Sequence, residues 1–298
     1  MKFLLFPGQG SQKPGMGKDF YEQSPEARAL LDQAASALPA DFLDTLFNGD
    51  AEAVGHTRFA QPALLSVEIA IVRHLQARGF QPAGCAGHSL GEITALVAAG
   101  VVAFEDAILF VQERARLMSE DVPPGGMAAV MGLEPEAIAA ALPPGAQVAN
   151  YNSPAQTIIS GSIEAMEAAA ITLKEAGAKR VMPLAVSGPF HSEYMRPAAE
   201  AFAKVLADVP FAAPQCTFVS SVSGQTETDP ARIRALLSEQ LYSPVRWIQV
   251  MGAVSQPCIE VGPGGVLAGL AKRIEGAPEV AAVASIEDAE LLLTTIPG

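Results

Sequence analysis

Gly84-Cys85-Ala86-Gly87-His88-Ser89-Leu90-Gly91-Glu92 is the stretch on which the reading of the fold turns. Gly84-Cys85-Ala86 is short and apolar, residues 87 to 91 match G-x-S-x-G, and Glu92–Ala99 reads as a helix of small residues stopped by Gly100. A strand that bends sharply into a helix has steric room only for small residues on either side of the serine. Such a turn holds the Ser89 hydroxyl in the open at the amino end of a helix, where unpaired N–H groups and a partial positive charge stabilise an oxyanion. Out of context the pattern fits a chemically silent Gly/Ser turn equally well. The strand before it and the helix after it favour a nucleophile.

Working outward, Phe3–Phe6 reads as a buried strand ended by Pro7-Gly8, and Pro62–Leu75 has helical periodicity. Phe104–Met118 reads as an amphipathic helix ended by Pro123-Pro124-Gly125-Gly126. After that break the pattern changes. Strand Met127–Met131, helix Pro135–Leu142 and strand Gln147–Tyr151 lead to a turn at Asn152-Ser153-Pro154. Strand Gln156–Ser160, helix Ile163–Ala176 and strand Lys179–Leu184 follow, giving the βαββαβ order of a ferredoxin-like unit. Strand candidates at Cys216–Ser220, Cys258–Val261 and Val280–Ala284 then resume the earlier alternation. Residues 125–187 therefore read as a small domain inserted into an α/β domain built from residues 1–124 and 188–298.

The composition bounds the function. The 298 residues are 50% hydrophobic, enough for one large core or a large and a small one. A net charge of −13 argues against wrapping nucleic acid or lying on an anionic membrane. The amino-terminal apolar run is too short for a signal peptide, and no segment reaches the roughly 20 apolar residues of a membrane span. Three scattered cysteines, Cys85, Cys216 and Cys258, give no disulfide framework and suit a reducing cytoplasm. Gly262-Pro263-Gly264-Gly265 fails as a dinucleotide fingerprint because Leu267 stands where the third glycine belongs. With no P-loop and no metal-ligand spacing, neither a cofactor nor a metal is expected.

A nucleophilic serine needs a base, and there are four histidines. His88 adjoins the serine on a tight turn and should point elsewhere, His74 lies in a helix and His56 in an earlier loop. His191, in Ser187-Gly188-Pro189-Phe190-His191-Ser192, opens the segment after the insertion and follows the serine in chain order, as in many α/β hydrolases. No acidic residue stands out as a third member, and a backbone carbonyl is one alternative that could orient the imidazole. On the Phe104 helix, Phe104, Ala107, Ile108, Val111, Ala115 and Met118 form one stripe. Arg116 falls well away from it, as a solvated charge. Arg114 falls at its edge, either snorkelling to water or held at an internal surface where it needs an anion.

Seven motifs, in order along nearly the whole chain, resemble those of malonyl-CoA:acyl carrier protein transacylases. They are Phe6-Pro7-Gly8-Gln9-Gly10-Ser11-Gln12, Gly87 to Glu92, Gln112-Glu113-Arg114-Ala115-Arg116-Leu117-Met118, Asn150 to Pro154, Gly188 to Ser192, Gln240-Leu241-Tyr242-Ser243-Pro244-Val245 and Glu260-Val261-Gly262-Pro263-Gly264. The resemblance implies an α/β-hydrolase-like large domain with a ferredoxin-like insertion. It implies Ser89 as nucleophile, His191 as base held by the main-chain carbonyl of Gln240, and the backbone N–H groups of Gln9 and Leu90 as oxyanion hole. It further implies that Arg114 binds the free carboxylate of malonate, with Phe190, Met118 and Asn152 in the substrate site. Ile93 departs from the aromatic that relatives often carry there.

The implied reaction moves malonyl from malonyl-CoA to the phosphopantetheine thiol of an acyl carrier protein. The family is often monomeric, so a single chain is expected. Carrier proteins are typically acidic, which makes Lys174, Lys179, Arg180, Lys272 and Arg273 candidate docking residues, or simply scattered solvated cations. The sequence also admits two rival readings. An acyl hydrolase would have no use for a malonate clamp at Arg114, and an inert binding subunit would have no use for an intact Ser89, His191 and Arg114 set.

Overall fold

The computed structural model describes residues 2–120, 122–186 and 188–295. Ser187, at the end of the predicted insertion, lies outside the described residues, as do Met1 and residues 296–298 at the ends of the predicted large domain.

Two sheets organise the chain. One is wholly parallel and takes strands β1 (Phe3–Phe6), β2 (Gly84–Gly87), β7 (Thr217–Val219), β8 (Cys258–Val261) and β9 (Val280–Val283), in the order β7-β2-β1-β8-β9. The other is antiparallel and takes β3 (Gly125–Met131), β4 (Ala146–Ser153), β5 (Gln156–Ser162) and β6 (Arg180–Pro183), in the order β4-β5-β3-β6.

Phe3-Leu4-Leu5-Phe6 has no polar alternation because both of its faces are buried, as a central parallel strand requires. Leu4 and Phe6 enter the large core with Cys85, Ile259 and Val261, whereas Phe3 and Leu5 pack on the opposite face against Trp247, Val250 and Met251. The antiparallel sheet divides likewise. Ala128, Val130, Val148 and Ile159 face its own helices, Pro135–Ala141 and Ile163–Glu175, through Ile138, Ala169 and Leu173. Met127, Ala129, Ala149 and Ile158 on the other face join the large core. That face roofs the cleft described below.

The predicted start of one helix needs correction. It runs Thr57–Gln76, with Pro62 inside it, and does not begin at Pro62. An internal proline removes one backbone hydrogen bond and is normally read as a first-turn residue. Here nearly every residue from Ala60 to Leu75 is buried, so packing outweighs the loss. The earlier helices Pro25–Ala37 and Phe42–Asn48, absent from the sequence-based expectation, cover part of this apolar rod.

The parallel strand order reverses between β1 and β8, and ligands of open parallel sheets gather at the carboxyl ends of strands near such a reversal. Three of the motifs leave the sheet there: Gln9 beyond β1, Ser89 beyond β2 and Gly262-Pro263-Gly264 beyond β8.

Candidate active site

Ser89 sits between β2 and the helix Leu90–Ala98 with φ 54° and ψ −108°, a conformation that side chains other than glycine's rarely adopt. The flanking glycines make the turn possible. A Cβ on Gly87 would overlap the Gly91 carbonyl, and one on Gly91 would overlap the Phe6 carbonyl of the neighbouring strand. The turn thus packs backbone on backbone and lifts the Ser89 hydroxyl into a cavity of about 310 Å³. Gln9, Leu90, Arg114, Met118, Asn152, Phe190 and His191 line the same cavity.

The Ser89 hydroxyl lies 2.8 Å from His191 Nε2. On the far side of the ring, Nδ1 is 3.0 Å from the main-chain oxygens of both Gln240 and Ser243. Those oxygens can only accept, so Nδ1 carries the proton and Nε2 is left to accept from the serine. Two further backbone bonds hold this arrangement. His191 N–H donates to Leu241 O at 2.9 Å, and Tyr151 N–H donates to Val245 O at 2.8 Å, tying the segment 240–245 to β4. His191 is pushed down to about 4, first by burial and then by the Arg114 and His88 charges, against the two carbonyl bonds that raise it. A neutral imidazole is what a proton acceptor needs.

The Arg114 guanidinium is only 1% exposed and faces no carboxylate among the described residues. Its Nη1 donates to Gln61 Oε1 at 2.6 Å, while Nη2 donates to Gln240 Oε1 at 2.7 Å and reaches Ser89 Oγ at 3.4 Å. Burial lowers it to about 10, partly opposed by the charge on Glu92. A buried cation held only by neutral groups is a site prepared for an anion. Arg116, two residues on, is at the surface between Glu113 and Glu120.

The backbone N–H groups of Gln9 and Leu90 find no acceptor among the described residues, and both residues border the cavity. Leu90 opens its helix, so its amide points outward with the positive end of the dipole. His88 turns away from the serine, as expected, with Nε2 2.9 Å from Asn152 Oδ1. Asn152 thus borders the cavity while facing His88. Met118 receives the Gln61 amide on its sulfur at 3.4 Å. Phe190, 5% exposed, forms wall beside the base.

Gln61, Ser243 and Glu92 are functional residues that the sequence alone does not single out. Ser243 and Glu92 lie inside quoted motifs, but side-chain chemistry alone does not single out a carbonyl or a buried carboxylate. Gln61 had no signal, because Pro62 next to it conceals the helix that carries it. Among the described residues no helix is long and apolar enough to cross a membrane.

Residues 3–284 match the family described as acyl transferase domain. A relative from Bacillus subtilis named malonyl CoA-acyl carrier protein transacylase is 43% identical, covering 98% of this chain and 96% of its own. The protein of the same name from Escherichia coli K12 is also 43% identical, covering 91% and 92%. A crystal structure of an acyl carrier protein S-malonyltransferase from Vibrio cholerae superposes with a TM-score of 0.92 at 43% identity, covering 98% of this chain and all of that one. A malonyl-transacylase solved in complex with a type II PKS acyl-carrier protein gives a TM-score of 0.94 at 39% identity, over 99% and 100%.

Proposed function

Because this chain belongs to the malonyl-CoA:acyl carrier protein transacylase family and is an acyltransferase, we propose that it moves malonyl from malonyl-CoA to an acyl carrier protein through an ester on Ser89. The observation that carries this reading is the Arg114 guanidinium, buried with no carboxylate in contact among the described residues and 3.4 Å from the serine hydroxyl.

In the first half-reaction Ser89 Oγ attacks the thioester carbonyl and its proton passes to His191 Nε2. The tetrahedral oxyanion sits against the amides of Gln9 and Leu90. Collapse breaks the C–S bond, and His191 returns the proton to the departing coenzyme A sulfur. In the second half the phosphopantetheine thiol gives its proton to His191, attacks the Ser89 ester and takes the malonyl group. The proton returns to Ser89 Oγ. Throughout, the malonate carboxylate stays on Arg114, which fixes the reacting carbonyl beside the hydroxyl.

The α/β-hydrolase-like and ferredoxin-like descriptions belong to the same proposal, with the insertion at residues 125–187. The antiparallel order β4-β5-β3-β6, with both helices on one face, supports it. Three free thiols suit a reducing cytoplasm. Lys174, Lys179, Arg180, Lys272 and Arg273 are exposed and form no ion pair among the described residues, which keeps them available to an acidic carrier.

Mass spectrometry of the intact protein tests the covalent step. Incubation with malonyl-CoA should add one malonyl group to the wild type and none to Ser89→Ala, and added holo-carrier protein should remove it. A labelled Ser89→Ala protein would overturn the reading. In the same assay methylmalonyl-CoA should load less well, because Phe190 crowds the place of a 2-methyl group; one methyl is worth only about 1–3 kcal/mol, so discrimination should be incomplete. Equal loading would remove Phe190 from this role.

A further inference from the structure

Arg114 has a counter-charge, but not in contact. Glu92, 2% exposed, lies on the other side of the Gln240 side chain. Its Oε1 accepts from Ser221 N at 2.9 Å, and its Oε2 accepts from Ser221 Oγ at 2.7 Å and from Gln240 Nε2 at 2.5 Å. The same Gln240 amide group donates to Ser89 O at 3.1 Å, and its Oε1 accepts from Arg114 at 2.7 Å. All the groups facing the Glu92 carboxylate are donors, so they suit its ionised form, which only accepts. The amide of Gln240 has one permitted orientation. A flip would turn its NH₂ toward the guanidinium and its oxygen toward a carboxylate.

We infer that Glu92 is a positioning residue for malonate specificity: through Gln240 it supplies the buried charge that balances Arg114 while leaving the guanidinium free for the substrate carboxylate. The inference rests on the function proposed above. Two simpler arrangements would each serve the enzyme worse. A carboxylate directly on Arg114 would occupy the donor pair that malonate needs, and the substrate would have to displace it. No carboxylate at all would leave a guanidinium buried and uncompensated, which favours its neutral form or a collapsed pocket. One amide between the charges avoids both. It passes polarisation along a hydrogen-bonded chain while keeping the ions apart. Burial raises the Glu92 carboxyl above the ordinary range, and the hydrogen bonds from Ser220, Ser221 and Gln240 oppose that rise.

This chain of contacts also reaches the base. The Gln240 side chain meets Glu92 and Arg114, and its main-chain oxygen accepts from His191. Loss of the Glu92 charge should therefore act on the clamp first. A merely structural disturbance of residue 240 would slow transfer of every acyl group alike, since the base would shift for all of them.

The readout is the ratio of kcat/KM for malonyl-CoA to that for acetyl-CoA, which has no free carboxylate. Glu92→Gln keeps the size and removes the charge, and the ratio should fall at least roughly tenfold from the wild-type value. Glu92→Asp keeps the charge and should retain more of the ratio than Glu92→Gln. An unchanged ratio in Glu92→Gln, with both substrates slowed equally or not at all, would overturn the inference. Should Glu92→Gln fail to fold, the exchange Glu92→Gln with Gln240→Glu carries the test. It preserves the total charge but places the carboxylate against Arg114, so the ratio should again fall at least roughly tenfold, and an unchanged ratio overturns the idea. A wild type that forms no malonyl-enzyme and shows no preference for malonyl-CoA would instead strike the proposed function. The two failures are thus distinguishable.

Discussion

Ser89 and His191 are the two non-glycine residues with positive φ among the described residues, at 54° and 56°, and their side chains are joined by a 2.8 Å hydrogen bond. Each occupies a backbone conformation that costs an L-residue of order 1–3 kcal/mol, and each projects its side chain where a relaxed backbone would not. The strain is held by surrounding contacts: backbone packing of Gly87 and Gly91 around the serine, and the Leu241 carbonyl on the histidine amide.

If strain is stored at Ser89, glycine there should release it. Ser89→Gly is expected to be more stable than Ser89→Ala by about 1 kcal/mol, a rise of about 2–4 °C in Tm, while neither variant takes a malonyl label. Thermal unfolding of the two variants side by side checks this, and a less stable glycine variant would show that the turn is not strained.

Replacing Arg114 by alanine should cost malonyl transfer about 2–5 kcal/mol, roughly 30-fold to several thousandfold in kcat/KM. Acetyl transfer should fall far less. Arg114→Lys keeps the charge but loses the paired donors and should recover only part of the loss. Equal losses on the two acyl groups would refute a carboxylate role.

The depressed basicity of His191 fixes the acid limb of the reaction. The free enzyme holds the imidazole near 4, so kcat/KM should stay flat as pH falls through 6.5 and drop only near about 4. Neutral burial of this group also adds stability that is complete above the ordinary histidine value and is lost as pH falls through about 4. Once a malonate carboxylate neutralises Arg114, one cause of the depression is removed, and the acid limb of kcat should lie above that of kcat/KM. Limbs that coincide would argue against an anion on Arg114.

Glu68 offers a stability test away from the chemistry. It is fully buried, Thr94 donates to its Oε2 at 2.5 Å, and its Oε1 has no partner among the described residues. Burial raises its carboxyl well above the usual range, and the nearby Glu260 adds to this. The group therefore stabilises the fold fully below its unfolded value, and that contribution is lost as pH rises through the folded one. Glu68→Gln should gain in Tm over the wild type as pH is raised from 5 to 8, in calorimetry across that series. A gap independent of pH would show that the carboxyl is ionised in the fold across the whole range and is not raised by burial.

Much of the fold was legible because period and punctuation agree. Cys258–Val261 forms a strand over the expected residues, and the order of elements between Met127 and Leu184 is that of β3 to β6. The Thr57 helix was cut short because Pro62 looks like a start from sequence, although tertiary burial overrides it. Helices between residues 18 and 55 went unread. Lys18–Gln23, Phe42–Asn48 and Ala51–Gly55 are too short to carry much local signal, whereas Pro25–Ala37 does carry one, the Ser24 cap followed by Pro25.

The sequence by itself determined the kinds of groups available: a serine on a glycine-flanked turn, a histidine with no acidic partner in view, and an arginine at the edge of an apolar stripe. Local sterics and periodicity act over a few residues, so these features can be read without coordinates. Tertiary structure alone decided that Arg114 is buried, that Gln61 and Gln240 hold it, that Ser243 shares the histidine proton and that Glu92 stands one amide behind. Burial and hydrogen-bond partners between residues far apart in the chain depend on how two sheets close over one cleft, and no local pattern encodes that distance.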